Sequence, residues 1–278
     1  MSGTLQEVRV IPHYDRFVVE VVWKVDPPQS VPRDTDRYLA IDLGIVNLAT
    51  IVTNIVGLTP ILIRGGPIKA LNQFYNKLNA QYYAILRRGY VPKEGPHTSH
   101  RLQRLAEKRR DQIKDAFYKI SRSIVNYAVE HDVSQIIIGH NTAWKQGSAL
   151  GRRNNQNFVY LPHALLIEMI RYKAQTVGIA VIVTEESYTS QASALDEDEI
   201  PTYGAIQGDH KPQFSGKRVK RGLYVTQDGT RINADVNGAM NILRKVFPNA
   251  FAKGIVGRVK APLVAQFDPR NSHLHGIA

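Results

Sequence analysis

Residues 38–52, YLAIDLGIVNLATIV, decide the fold. They read as a buried strand ending in Asp42, a turn at Gly44, and a second strand from Leu48 to Val52. Short runs rich in Ile and Val and bounded by a turn are strand signatures. Asp42 interrupts the apolar run where the strand should leave the core. An unpartnered buried carboxylate is costly, so an acid there calls for a partner, a metal or a catalytic duty. Taken alone, a turn-initiating Asp before Gly is the better explanation of the residue.

Working outward toward the N-terminus, residues 5–24 hold two β-branched-rich runs around a His-Tyr-Asp-Arg turn. They predict a hairpin that buries Val8, Val10, Phe17, Val19 and Val21 on one face. A Pro-rich linker at 27–36 separates this small β element (1–26) from the strand pair. Beyond that pair, a third strand at 60–63 completes a meander. A helix over 68–88 carries Leu71, Phe74, Tyr75, Leu78 and Tyr82 at helical spacing. Thr98 or Ser99 caps a second helix reaching about residue 131, with Leu102, Leu105, Ile113, Phe117, Ile120 and Ile124 as its buried stripe.

A strand at 135–138 ends at Gly139, and a polar loop leads into a helix at 162–177. A strand at 179–184 then ends in Glu185 and Glu186. Residues 191–231 read as an irregular polar insert, and 256–278 as a polar, loose tail. The last helix begins at Ala234 or Asp235. Three meander strands followed by alternating helices and strands is the connectivity of an RNase H-like α/β domain, over 37–255 with a helical insertion at about 68–131. That fold sets acids at the end of its first strand, the end of its fourth, and the start of its last helix. Two Mg²⁺ ions there activate a water and stabilise the leaving oxygen in phosphodiester cleavage. Asp42 and Asp235 fall at the first and third of these places.

Composition narrows the partner. Thirty-six Lys and Arg against 24 Asp and Glu give a net charge of +12, suited to a polyanion such as nucleic acid. Arg101, Arg104, Lys108 and Arg109 on the second helix, Arg152 and Arg153 in the polar loop, and Lys217, Arg218, Lys220 and Arg221 in the insert are the candidate phosphate contacts. The chain has no cysteine, which excludes disulfides, thiol catalysis and Cys-based zinc sites. With no long apolar run and no signal-peptide layout, a cytoplasmic, nucleoid-associated prokaryotic protein is the expectation.

YLAIDLGIVNLATIV, IIIGHN, ESYTSQAS and INADVNGAMNILRK resemble the RuvC-like nuclease half of the TnpB/OrfB proteins of small insertion sequences, relatives of type V CRISPR effectors. The resemblance runs from the hairpin, similar to the end of a wedge barrel, to about residue 255. It implies RNA-guided, Mg²⁺-dependent DNA cleavage, with Mn²⁺ as a substitute, and DNA and a guide RNA as partners. It also implies that Asp42 and Asp235 are the first and third catalytic acids.

Three departures stand out. The position of the middle acid is Gly139, followed by His140 and Asn141. Glu186 ends the neighbouring strand and, in a parallel sheet, would emerge about 4.8 Å away. It is therefore the candidate replacement, with Glu185 in reserve and His140 a poorer ligand for Mg²⁺. The family's zinc ribbon lacks all its thiolates, Ala192 standing where the first Cys is expected. The N-terminal recognition helices are absent from the chain, so a separate chain could supply them. The alternative function is a nuclease-inactive nucleic-acid-binding derivative, a repressor or assembly partner. A basic RNA-associated structural protein fits the charge but not the two acids.

Overall fold

The computed structural model describes residues 3–13, 16–25, 36–91, 94–141, 161–202, 204, 212–254, 259–267 and 274–275. The Pro-rich linker, apart from its last residue, and the loop carrying Arg152 and Arg153 lie outside the described residues.

Three strands form the meander: β3 (Tyr38–Leu43), β4 (Asn47–Thr53) and β5 (Ile61–Arg64). Next come helices α1 (Gly66–Leu86) and α2 (His100–Glu130), strand β6 (Gln135–Gly139), helix α3 (His163–Gln175) and strand β7 (Ala180–Thr184). The sheet also takes in β11 (Leu263–Phe267) and β12 (Leu274–His275), giving the order β12-β11-β5-β4-β3-β6-β7 among the described residues. Parallel pairing of β3 with β6 and of β6 with β7 makes the sheet mixed. The tail expected to be loose thus supplies an edge: β11 runs parallel to β5, with Ala265 fully buried opposite Ile63. Its five residues between polar stretches were too short a signal to separate from coil.

Alternation along β3 sets everything that follows, because successive side chains take opposite faces. Leu39, Ile41 and Leu43 join the large core under α2 and α3, with Phe117, Ile120, Ile124, Leu166 and Ile170. Ala40 belongs to the opposite face, where helix α4 (Ala234–Val246) brings Ile242 and Leu243 down onto it. Asp42, two residues on from Ala40, shares that α4 face. The apolar residues at 102, 113, 117, 120 and 124 are buried as the helical spacing predicts, and Ser99 caps α2 by accepting from the Leu102 amide at 3.3 Å.

Two apolar stripes are not buried as expected. The hairpin β1 (Gly3–His13) and β2 (Arg16–Val25) forms, but its apolar face stays open, with Val10 62% and Phe17 73% exposed. It is held to α2 through its other face and tip, by His13 to Glu107 at 2.8 Å and Arg16 to Asp111 at 2.6 Å. On α1, Phe74 is exposed and the rest of the stripe half-buried. Long helical spacing marks a face without showing what covers it.

The insert is also more ordered than its composition suggests. It carries a three-stranded antiparallel sheet of β8 (Lys217–Lys220), β9 (Leu223–Val225) and β10 (Arg231–Asn233).

Candidate functional site

At the ends of β3 and β6 the register pairs Asp42 with Gly139, and Gly139 with Thr184 on β7. Thr50 of β4 lies on the other side of Asp42. A cleft of about 360 Å³ opens over this row, lined by Asp42, Asn47, Glu186, Arg218, Arg221 and Asp235 among others. The three predicted acids therefore share one cavity. Glu185 and His140 do not line it.

At Gly139, where the resemblance expects the middle acid, the structure leaves no room for a side chain. A Cβ built there would overlap the Ile242 side chain of α4 and lie 3.3 Å from Glu186 Oε2. The place of a side chain at Gly139 is thus held by Ile242, and the Glu186 carboxylate from the next strand end lies beside it, in the cleft with Asp42. The Glu186 amide donates to Asn141 Oδ1 at 3.2 Å, fixing the turn that aims it. Glu185 is committed elsewhere, to an ion pair with the nearly buried Lys245 of α4 and to the Ser187 amide at 2.9 Å. Sequence alone could not rank the two glutamates, because the ranking depends on Lys245, 60 residues further on.

Helix α4 is shaped to approach this row closely. A Cβ on Gly238 would lie 2.8 Å from Asp42 Oδ2, so only glycine lets the helix backbone pass the carboxylate. Asn233 caps the helix, its Oδ1 accepting from the Asp235 and Val236 amides at 2.9 and 3.2 Å. Asn237 and Asn241 grip the 189–194 turn: Asn237 accepts from the Ala194 amide, and both side chains donate to the Ala192 carbonyl at 2.7 Å. Asn47, Gly238, Asn237 and Asn241 were not predicted, since their value lies in contacts more than 40 residues distant in sequence.

The electrostatics are those of crowded carboxylates. Burial, then the charges of Glu186 and Asp235, push the Asp42 carboxyl well above its ordinary value, with Arg218 opposing. Glu186 is raised chiefly by burial. Asp235 is braced on both oxygens, Asn47 Nδ2 donating to Oδ2 at 2.7 Å and Arg218 to Oδ1 at 3.3 Å. The donors facing the cleft are oxygens, which suits a hard divalent cation such as Mg²⁺ or Mn²⁺. As they stand, no three His, Cys, Asp or Glu groups among the described residues are gathered closely enough to hold one.

The predicted phosphate contacts divide. Lys217, Arg218 and Lys220 lie on β8 and Arg221 follows it, with Arg218 and Arg221 reaching the cleft. On α2, Arg101 stacks over Tyr82 of α1 at 4.0 Å, and Arg109 lies 5.0 Å from the Tyr75 ring with its Nε 2.6 Å from Asn72 Oδ1. These two join α1 to α2. Arg104 and Lys108 line a separate cleft among Glu107, Asp111 and Asp115.

Fold and cleft together define a RuvC-like α/β protein. Its known structural counterparts include the cryo-EM Cas12f1–sgRNA–target DNA complex (TM-score 0.53, 16% identity, 81% of this chain and 42% of that one). A CRISPR–Cas12f ternary complex matches with TM-score 0.50 and 16% identity, over 84% of this chain and 44% of that one. A family model, OrfB_IS605, "Probable transposase", matches residues 20–145, and the Cas12f1-like TNB domain matches 163–242. The TnpB-like protein ORF457 of Acidianus two-tailed virus is 26% identical over 239 residues, covering 82% of this chain and 45% of its own. The CRISPR-associated endodeoxyribonuclease Cas12f1 of Sulfoacidibacillus thermotolerans is 28% identical over 224 residues, covering 77% and 47%. The chain is thus similar, over most of its length, to TnpB-like and Cas12f1 proteins. The chain spans about half the length of the curated relatives it matches. No helix among the described residues is long and apolar enough to cross a membrane.

Proposed function

We propose that this chain is the nuclease portion of an RNA-guided DNA endonuclease, with Asp42, Glu186 and Asp235 as the ligands of a divalent cation site. The observation that carries this reading is that Glu186 shares one cleft with Asp42 and Asp235, its Oε2 3.3 Å from the Cβ position of Gly139, the residue paired with Asp42. Mg²⁺, or Mn²⁺ in its place, would supply an activated water and charge neutralisation at the scissile phosphate. Arg218 and Arg221 take phosphate oxygens at the mouth of the cleft, and the Lys217–Lys220 strand extends that basic edge. Glu185 holds Lys245 and has no part in the chemistry. DNA and a guide RNA are the proposed partners, in keeping with the names of the structural counterparts.

A second reading, a nucleic-acid-binding protein that does not cut, is favoured by two observations: Arg218 already engages Asp235, and the acids are not gathered closely enough to hold a metal. Mg²⁺-dependent DNA cleavage by purified protein, with RNA co-purified from its native locus, separates the two. Cleavage that falls to background in Asp42→Ala, Glu186→Ala and Asp235→Ala but persists in Glu185→Gln is the expected outcome. Cleavage indifferent to Glu186→Ala overturns the assignment of that residue. Salt-sensitive binding with no cleavage under any divalent metal establishes the second reading instead.

A further inference from the structure

Asp235 has the most fully braced side chain of the three acids, and its bracing is layered. Its backbone amide is held by the Asn233 cap. Its inner oxygen, Oδ2, accepts from Asn47 Nδ2 at 2.7 Å, and Asn47 is itself buried at the start of β4. Behind Asn47, Arg64 of β5 donates to Asn47 Oδ1 at 3.0 Å, from the position directly across the strand pair.

The order of these contacts matters chemically. A guanidinium can only donate, so the amide atom facing Arg64 must be the carbonyl oxygen. That turns the amide NH₂ toward Asp235 and removes the flip that would set oxygen against oxygen. A neutral donor also orients a carboxylate without cancelling its charge, so the acid keeps its attraction for a cation. The charge that competes with the cation at Asp235 is on the other oxygen, where Arg218 lies 3.3 Å from Oδ1.

Resting on the metal-site reading above, we infer that Asn47, locked by Arg64, is a positioning residue that presents Asp235 to the divalent cation. The relay runs Arg64 to Asn47 to Asp235, from the third strand of the meander to the last helix. Partners of this kind fix ligand orientation, and their loss typically weakens metal affinity about 10- to 100-fold.

The test uses the full chain and Mn²⁺ alone, with free Mn²⁺ counted by electron paramagnetic resonance and the metal-free thermal midpoint as a folding control. Asn47→Ala is expected to weaken Mn²⁺ binding about tenfold, and Arg64→Leu, which frees the amide to flip, about threefold. The double variant should bind no more weakly than Asn47→Ala, because Arg64 acts through Asn47. A merely structural pair would instead lower the midpoint without this non-additive pattern. Wild-type affinity in Asn47→Ala, or losses that multiply in the double variant, overturn the inference while leaving the metal site standing. Wild-type protein that takes up no Mn²⁺, or binding unchanged in Asp42→Ala, removes the metal site and the inference with it.

Discussion

Asp42 ends a strand whose other residues are apolar, with α4 against its carboxylate at Gly238. Its carboxyl is held well above the ordinary 3.8 first by burial, then by Glu186 and Asp235. A raised acid favours its protonated form in the fold. The stability it contributes is therefore present below the unfolded value and lost as pH climbs from there through the raised one. Asp42→Asn, neutral throughout, is expected to raise the thermal midpoint in EDTA at pH 8 by about 2–4 °C, roughly 1 kcal/mol for a chain of this size. Repeating the melt at pH 3, where the wild-type acid is also neutral, should abolish the gain. A variant no more stable than wild type at pH 8 would mean that the carboxylate is already compensated. The same feature that makes Asp42 unfavourable to ionise made it legible in the sequence: a charge in an apolar run is conspicuous. Asn47 and Gly238 break no pattern, and their roles depend on an acid from another element.

Among the elements, the insert poses the sharpest question, because the resemblance calls for a zinc ribbon and the chain has no thiolate. Two carboxylates tie its segments together. Asp198 accepts from the Ser193 and Ser215 amides at 2.7 and 3.1 Å, and Asp196 accepts from the Gln227 amide and the Ser215 hydroxyl, both at 3.0 Å. Burial opposes ionisation of Asp196, but hydrogen bonds from Ser193, Gln227 and Ser215 outweigh it and hold the carboxyl below its ordinary value. A lowered acid contributes stability that is present above the unfolded value, 3.8, and lost as pH falls through the folded one. Asp196→Asn and Asp198→Asn are each expected to speed amide hydrogen exchange at 193, 215 and 227 about tenfold at neutral pH, with the rest of the sheet unaffected. Wild-type protein should show the loosening at 227 only as pH falls below 3.8. Protection unchanged in both variants would leave the clamp without force. The hairpin and β11 teach the complementary lesson. Alternation correctly marked the hairpin's apolar face, yet nothing among the described residues covers it, while β11 had too few residues to announce a strand that the sheet edge at β5 completes.

For the molecule as a whole, the net charge of +12 is a field whose use depends on where the cations are free to act. Arg101 and Arg109 are engaged with α1, whereas Arg221 faces the cleft and Arg218 faces it while paired with Asp235. In a titration of DNA binding against salt, Arg218→Ala with Arg221→Ala should reduce the slope of log affinity on log salt by about 2. Arg101→Ala should leave that slope alone and instead lower the thermal midpoint. Equal slopes for all variants would move the polyanion surface away from the cleft. The overall architecture was readable from the order of elements. The division of labour among the arginines was not, because one charge looks like another until its neighbours are known.

The proposed exchange between Gly139 and Glu186 has a wider meaning. Chemistry responds to what occupies a volume, not to which column of an alignment supplies it. Here the room beside one strand end is taken by Ile242, and a carboxylate from the next strand end lies 3.3 Å from where a Cβ would stand. Residue-by-residue comparison would score such a chain as missing an acid and set it aside as inert. A search of its relatives that paired each glycine at this strand end with carboxylates on the adjoining one would recover them, and would read the apparent deletion as a change of address.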